Sequence, residues 1–318
     1  MDNTKLFNPD HLKHLCQKYG LRPSKQYGQN FLIDAEVINK ILAVANLSKQ
    51  DTVVEVGPGF GTLTLSLAEQ AGRVFGFEIE KKLQDYWENN IQEKKINNLE
   101  IIWGNVLNRF NPTLALPFAK GRGIATPPPS QWRGQGGGYT SRTGQGKVLL
   151  EAEVVSPYKV IANIPYQITS PLIKMFLESS NPPSEMILMI QREVAERICA
   201  LPGAMSLLAL SVQLYSKPAI VFPVPRESFW PVPRVDSAVI KLTPKTPGLS
   251  SQEISKLFKL ARLGFSSKRK VLLKNLKSLI PAGDSGKIMA LLESFGLTKT
   301  ARAQELSLPN WLDLSASL

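Results

Sequence analysis

The sequence predicts an α/β fold: a mostly parallel sheet flanked by helices over residues 1–248, then a small all-helical domain over 249–318. Three observations predict it. Short β-branched apolar runs alternate with segments of helical period between residues 34 and 200, the mark of βαβ units and so of parallel strands. The first of these runs leads directly into a glycine-rich turn, the kind of connection at which such sheets bind ligands. Beyond residue 250 the apolar positions recur only at helical spacing, between Ser, Gly and Pro punctuation.

The elements follow in order. MDNTKLFNPDHLKHLCQKYG lacks the apolar core of a signal peptide and reads as an amphipathic helix. Residues 34–46 form a helix with Asp34 as N-cap. TVVEV (52–56) is a buried strand, and TLTLSLAEQA (62–71) is the helix after the glycine turn. RVFGFEIE (73–80), LEIIWGNV (99–106), KVIANIPY (159–166) and EMILMIQ (185–191) are further strands. Between and after them lie the helices KKLQDYWENNIQEKK (81–95), SPLIKMFLES (170–179) and REVAERICA (192–200), the second with Pro171 in its first turn. LPGAMSLLALSV (201–212) reads as a loop, and AIVFPV (219–224) with DSAVIKLTP (236–244) as an antiparallel pair at the sheet edge. SQEISKLFKLARLGF, KRKVLLKNLKSLI and GKIMALLESFGL supply the helices of the second domain.

Residues 120–150 fit neither period. They are rich in Gly, Pro, Arg, Ser and Gln, and cannot bury enough apolar surface to offset the entropy of ordering. The segment reads as a disordered insertion between the third and fourth strands, or as an arginine-bearing loop that touches RNA.

Composition narrows the partners. The chain has 318 residues, is 43% apolar, and carries a net charge of +12. A positive field of that size favours a polyanion, although basic composition alone does not single out nucleic acid. No apolar run approaches the roughly 20 residues that span a bilayer, so no membrane partner is expected. Cys16 and Cys199 are too few and too far apart for a disulfide framework or a zinc cluster. With no leader visible, they fit a reducing, cytoplasmic setting. The two histidines, His11 and His14, fall on one face of the first helix and read as a solvated surface, so no metal site is expected.

Two constellations carry chemistry. In VVEVGPGFGTLT, Glu55 ends a strand, and Gly57, Gly59 and Gly61 make the turn into a helix. The spacing is G-x-G-x-G and not the dinucleotide pattern G-x-G-x-x-G, which suits a cofactor without a pyrophosphate. Glu78 ends the next strand, where an acid can accept hydrogen bonds from both hydroxyls of a ribose. In Asn163-Ile164-Pro165-Tyr166, after the fourth strand, an amide oxygen and a backbone carbonyl can each accept one N–H of an exocyclic amine. Pro165 holds that turn rigid, and Tyr166 offers a face to an extruded base. An amine so aligned can take a methyl group from a sulfonium directly, without a histidine base.

These motifs, with QNFL (29–32), FEIE (77–80), MIQREVAERI (189–198), FPVPRESFWPVPRVDSAVIKL (222–242), FSSKRKVLLKNL (265–276) and RAQELS (302–307), resemble the KsgA family of small-subunit rRNA adenine N6-dimethyltransferases. The resemblance runs from about residue 22 to 310 apart from the insertion. It implies a Rossmann-like methyltransferase domain that uses S-adenosyl-L-methionine, and a helical C-terminal domain that contacts RNA. It further implies dimethylation of two adjacent adenosines near the 3′ end of small-subunit rRNA within a pre-ribosomal subunit, by a monomer. By the resemblance, Gln29, Asn30 and Leu32 border the cofactor, Glu55, Gly57 and Gly59 cradle its methionine part, and Glu78 holds its ribose. Asn163, Pro165 and Tyr166 bind the target amine and base, with Asn163 also beside the cofactor, and Phe229 helps to sandwich the base. Lys268, Arg269 and Lys270, opening a helix, meet RNA phosphates.

The chain departs from the family in places. Asn105 stands where relatives usually have an aspartate that accepts from the cofactor adenine, so weaker cofactor binding is expected. Gln167 follows Tyr166, and the 201–212 segment lacks a Tyr-Gly pair common in relatives. Two rival functions also fit the sequence: a large-subunit rRNA adenine methyltransferase of the antibiotic-resistance type, and an RNA-binding assembly factor of the same fold with weakened catalysis.

Overall fold

In a computed structural model of the chain, the described residues are 4–23, 30–108, 154, 157–277 and 285–318. Gln29 and the 120–150 segment lie outside them. The regular elements run α1 (Pro9–Lys18), β1 (Phe31–Leu32), α2 (Ala35–Ala45), β2 (Thr52–Val56), α3 (Thr64–Gln70), β3 (Arg73–Glu78), α4 (Gln84–Glu93), β4 (Leu99–Trp103), β5 (Tyr158–Asn163) and α5 (Thr169–Leu177). They continue with β6 (Glu185–Gln191), α6 (Arg192–Ile198), α7 (Leu207–Tyr215), β7 (Ser216–Val224), β8 (Phe229–Trp230), β9 (Ser237–Pro244), α8 (Ser251–Gly264), α9 (Leu272–Leu276), α10 (Ser285–Ser294) and α11 (Leu308–Ser317). Two compact units emerge: Met1–Pro183 with Glu227–Pro233, and Ser184–Arg226 with Arg234–Leu318.

The first unit is built on four parallel strands in the order β4-β3-β2-β5. Helices α3 and α4 make the crossovers, so this is the Rossmann-like α/β architecture that the alternation predicts. The strands are covered on both faces, which is why they read as continuous apolar runs: Val53, Val54, Phe75, Val160 and Ile161 are fully buried. The expected cap at Asp34 is present, and α1 has one at Asn8. Asn8 accepts from the N–H groups of Asp10 and His11 at the start of α1, and Asp34 from those of Glu36 and Val37 at the start of α2. The short strands β1 and β8 pair antiparallel, with Phe31 opposite Trp230 and Leu32 opposite Phe229.

The second unit holds three antiparallel strands with β9 between β6 and β7. The expected antiparallel pair is present, but β7 begins at Ser216 and is irregular between Ile220 and Phe222. The supposed loop at 201–212 is corrected: α7 occupies Leu207–Tyr215, capped by Ser206, whose hydroxyl accepts from the Ala209 N–H at 3.1 Å. LLALSVQLY is apolar on nearly all sides because Ala209, Leu210, Val212 and Leu214 are all buried, so no amphipathic stripe announces the helix. The basic run is corrected too. Lys268–Arg269–Lys270 does not open a helix; it forms the turn between α8 and α9, which starts at Leu272. Helix α11 begins with a reciprocal cap between Ser307 and Asn310 and buries Trp311 against Gly264, where a Cβ would collide with the indole. No described helix is long and apolar enough to cross a membrane.

Candidate active site

The candidate site starts at the turn after β2. Gly57, Gly59 and Gly61 all have positive φ, of 77°, 57° and 88°. The turn is tied down through its peptide groups. The Gly57 N–H donates to the Phe77 carbonyl (2.9 Å), and the Gly61 N–H to that of Pro58 (2.9 Å). Trp87 donates its indole N–H to the Gly59 carbonyl (3.0 Å), and the Tyr86 hydroxyl donates to that of Phe60 (2.7 Å). A Cβ on Gly61 would lie 2.6 Å from the Trp87 ring, so this position has room only for glycine.

Two carboxyls flank the turn. Glu78 is buried at the last residue of β3; its Oε2 accepts from the Gly59 N–H (3.0 Å) and its Oε1 from the Glu80 N–H (2.8 Å). Burial raises its pKa, and the backbone donors of Glu80, Gly59 and Ile79 pull the other way. Each oxygen keeps a lone pair for a further donor. Glu55, on β2, is 2% exposed, and its Oε2 has no hydrogen-bond partner among the described residues. Burial pushes its carboxyl up to about 8; Thr64 beside it acts downward and Glu78 upward. The Thr64 hydroxyl is near but itself makes no hydrogen bond among the described residues.

The Asn163–Tyr166 turn meets this cradle. Pro165 lies beside Gly57, with its Cδ 3.8 Å from where a Gly57 Cβ would stand. Its carbonyl accepts from the Ile168 N–H (3.1 Å), closing the single turn Tyr166–Ile168 that carries the tyrosine. Asn163 donates from Nδ2 to the Asn30 carbonyl (3.3 Å), which turns its amide oxygen the other way. Asn105 follows β4, next to Glu78: the Gly104 N–H donates to the Glu78 carbonyl (2.8 Å). The Asn105 oxygen accepts from the Leu107 N–H (3.0 Å), which leaves it one lone pair.

The chain therefore brings together Asn30, Glu55, Gly57, Gly59, Glu78, Asn105, Asn163, Pro165 and Tyr166 at the carboxyl ends of parallel strands. Leu32 is buried nearby on β1. Phe229 faces it across the β1–β8 pair with its ring 1% exposed, so a base reaches that ring only after it is uncovered. Half-exposed aromatics that the sequence reading passed over sit on the same ribbon: Phe31 and Trp230 stack at 6.3 Å, and Phe31 lies 5.0 Å from Phe60. Phe31 also packs where a Gly59 Cβ would stand, 3.2 Å away. The FL and FW dipeptides, too short to show a strand period, were their only signal. Lys268, Arg269 and Lys270 belong to the second unit, where all are exposed. His11 and His14 lie on the outer side of α1, and no group of three or more metal-binding side chains is present among the described residues.

A family model described as ribosomal RNA adenine dimethylase matches residues 20–318. The ribosomal RNA small subunit methyltransferase A of Dehalococcoides mccartyi is 36% identical over 303 residues, covering 95% of this chain and 90% of its own. That of Moorella thermoacetica is 35% identical over 308 residues, covering 96% and 95%. Among solved structures, the 23S rRNA methyltransferase ErmE superposes with a TM-score of 0.65 at 24% identity, over 91% of this chain and 99% of its own. A dimethyladenosine transferase from Plasmodium falciparum gives 0.63 at 24% identity, over 88% and 94%. At such identities the two structures speak for the fold.

Proposed function

We infer that this chain, which belongs to the ribosomal RNA adenine dimethylase family, transfers methyl groups from S-adenosylmethionine to the N6 amine of adenosine in ribosomal RNA. The observation that carries the reading is the junction of two turns, with Pro165 against Gly57 and Asn163 anchored on Asn30. It sets an acceptor for an exocyclic N–H beside a cradle for a nucleoside cofactor.

The residues fit that cofactor. Glu78 stands at the strand end with lone pairs for two ribose hydroxyls, Asn105 keeps one for the adenine amine, and Gly57 and Gly59 open the backbone to the methionine part. Bound there, the cofactor supplies an electrophilic methyl carried on a sulfonium. Asn163 Oδ1, with a backbone carbonyl of its turn, accepts the N6 hydrogens and aligns the nitrogen lone pair; Tyr166 stacks on the base. With the lone pair so aligned, the methyl group would pass to nitrogen as its bond to sulfur breaks, the bonding pair staying on sulfur, and the amine proton would leave to water. No general base of matched pKa is required.

In its finer form, the reading has the substrate as two adjacent adenosines near the 3′ end of small-subunit rRNA in a pre-ribosomal particle, methylated in the cytoplasm by a monomer. Residues 249–318 serve as an RNA-contacting domain, with Lys268, Arg269 and Lys270 on phosphates. The 31–36% identity to relatives named for the small subunit favours it over the large-subunit alternative. Labelled methyl transfer to small subunits and to large subunits tests the choice: incorporation into the large subunit alone would reverse it.

A further inference from the structure

Glu55 is the one acidic side chain of the cradle whose chemistry the transfer step does not use. A buried acid that merely braces a fold is hydrogen-bonded, and even the half-buried Asp34 accepts from two backbone N–H groups. Glu55 is 2% exposed, yet its Oε2 makes no hydrogen bond among the described residues. The groups that act on it are few. Helix α3 presents the Thr64 hydroxyl, and β3 presents a second acid, Glu78. The nearest lysine on β5, Lys159, is engaged with Asp51 (3.3 Å) and with the Ala45 carbonyl (2.9 Å). Two acids therefore flank one glycine turn with no cation between them among the described residues, and an ionised pair there is disfavoured by burial and by mutual repulsion. What relieves both is a cation with hydrogen-bond donors entering at Gly57.

We propose that Glu55 is a charge sensor for the ligand: its carboxyl holds a proton in the free protein and releases it to solvent when the cationic cofactor binds, and releases less of it to the uncharged-sulfur product. The proposal rests on the cofactor reading above. Protonation of the free form agrees with a carboxyl pushed up to about 8 by burial. The balance is simple: Glu55 goes from carboxylic acid to carboxylate, one proton leaves, and the ligand is unchanged. Because binding lowers the pKa of the Glu55 carboxyl below its value in the free protein, affinity rises with pH up to about 8 and then levels. The preference for cofactor over product, which lacks the sulfonium charge, widens across the same window.

Calorimetric titration of the full chain with S-adenosylmethionine and with S-adenosylhomocysteine, in buffers of different ionisation enthalpy near neutral pH, counts the protons. The expected result is release of close to one proton with the cofactor and clearly less with the product. For Glu55→Gln, release is expected to fall to the level of the ligand alone. Should that variant fail to fold, the wild-type pH series decides: release must fade above about pH 9. Binding without proton release, release that persists in Glu55→Gln, or release that stays constant across pH overturns the proposal and leaves the cofactor reading standing. No binding of either ligand removes the cofactor reading, and the proposal with it.

Discussion

Two turns in this molecule are built on opposite plans. The Gly57–Gly61 turn has given up its side chains at three of five positions: its peptide groups bond to Phe77, Glu78, Tyr86 and Trp87, and its backbone is the surface on offer. The turn from Ser266 to Lys270 has its backbone clamped from behind. Asn275 donates to the carbonyls of Gly264 (2.6 Å) and Ser267 (3.1 Å), and Ser266 to that of Leu263 (2.7 Å). Its side chains, Lys268, Arg269 and Lys270, stand exposed with no ion pair among the described residues. A small ligand held in place needs close backbone approach and buried acids. A polyanion met over a wide surface needs exposed cations on long, flexible stems, and tolerates their exchange.

If that contrast is right, substitutions in the inner turn disturb folding and chemistry together. Gly61→Ala is expected to have the largest effect, destabilising by roughly 4 kcal/mol, since φ is 88° and the new methyl meets Trp87. Denaturant unfolding measures it; a loss under about 1 kcal/mol would show a softer turn. Glu55→Gln should act in the opposite direction on stability. The acid is raised in the folded state from 4.5 to about 8, so its contribution is complete below the unfolded value and is lost as pH rises through about 8. At pH 7 without cofactor, the variant is expected to melt higher than the wild type by the equivalent of about 3 kcal/mol, and to match it near pH 4.5. Equal melting temperatures at both pH values would place the Glu55 carboxyl in contact with water.

Tyr166→Ala is expected to lower methyl transfer on the order of 100-fold while RNA affinity falls only a few-fold. Equal loss of both would assign the ring to RNA docking. Asn105→Asp restores the charge of an acceptor that already caps Leu107, and cofactor affinity is expected to rise a few-fold by calorimetry. The outer turn gives the smallest effect per residue. Each of Lys268→Ala, Arg269→Ala and Lys270→Ala should reduce the slope of log affinity against log salt by about 0.7 to 0.9, with no change in melting temperature.

The parallel strands were readable because both faces are buried, so apolar runs such as Val53–Val54 stand out between polar turns. The glycine turn and Glu78 were readable because close backbone approach leaves a glycine signature. Helix α7 was not, since a helix buried on most sides has no stripe. Nor was the β1–β8 ribbon: two-residue strands have no period, and their pairing joins residues about 200 apart in the chain, such as Phe31 and Trp230. The unpartnered state of Glu55 is a property of packing, and the letters EVG do not contain it. Helix α11 was missed as well, although Ser307 with Asn310, and Pro309 after the cap, stand at its start.

The most direct measurement is transfer of labelled methyl groups from S-adenosylmethionine to small ribosomal subunits that lack the modification, followed by nucleoside analysis of the RNA. Label is expected in N6-dimethyladenosine of the small-subunit RNA, and is expected to be abolished by Asn163→Ala. Subunits that bind the protein yet acquire no methylated adenosine would contradict it, and would mark the chain as an assembly factor that kept the fold without the chemistry.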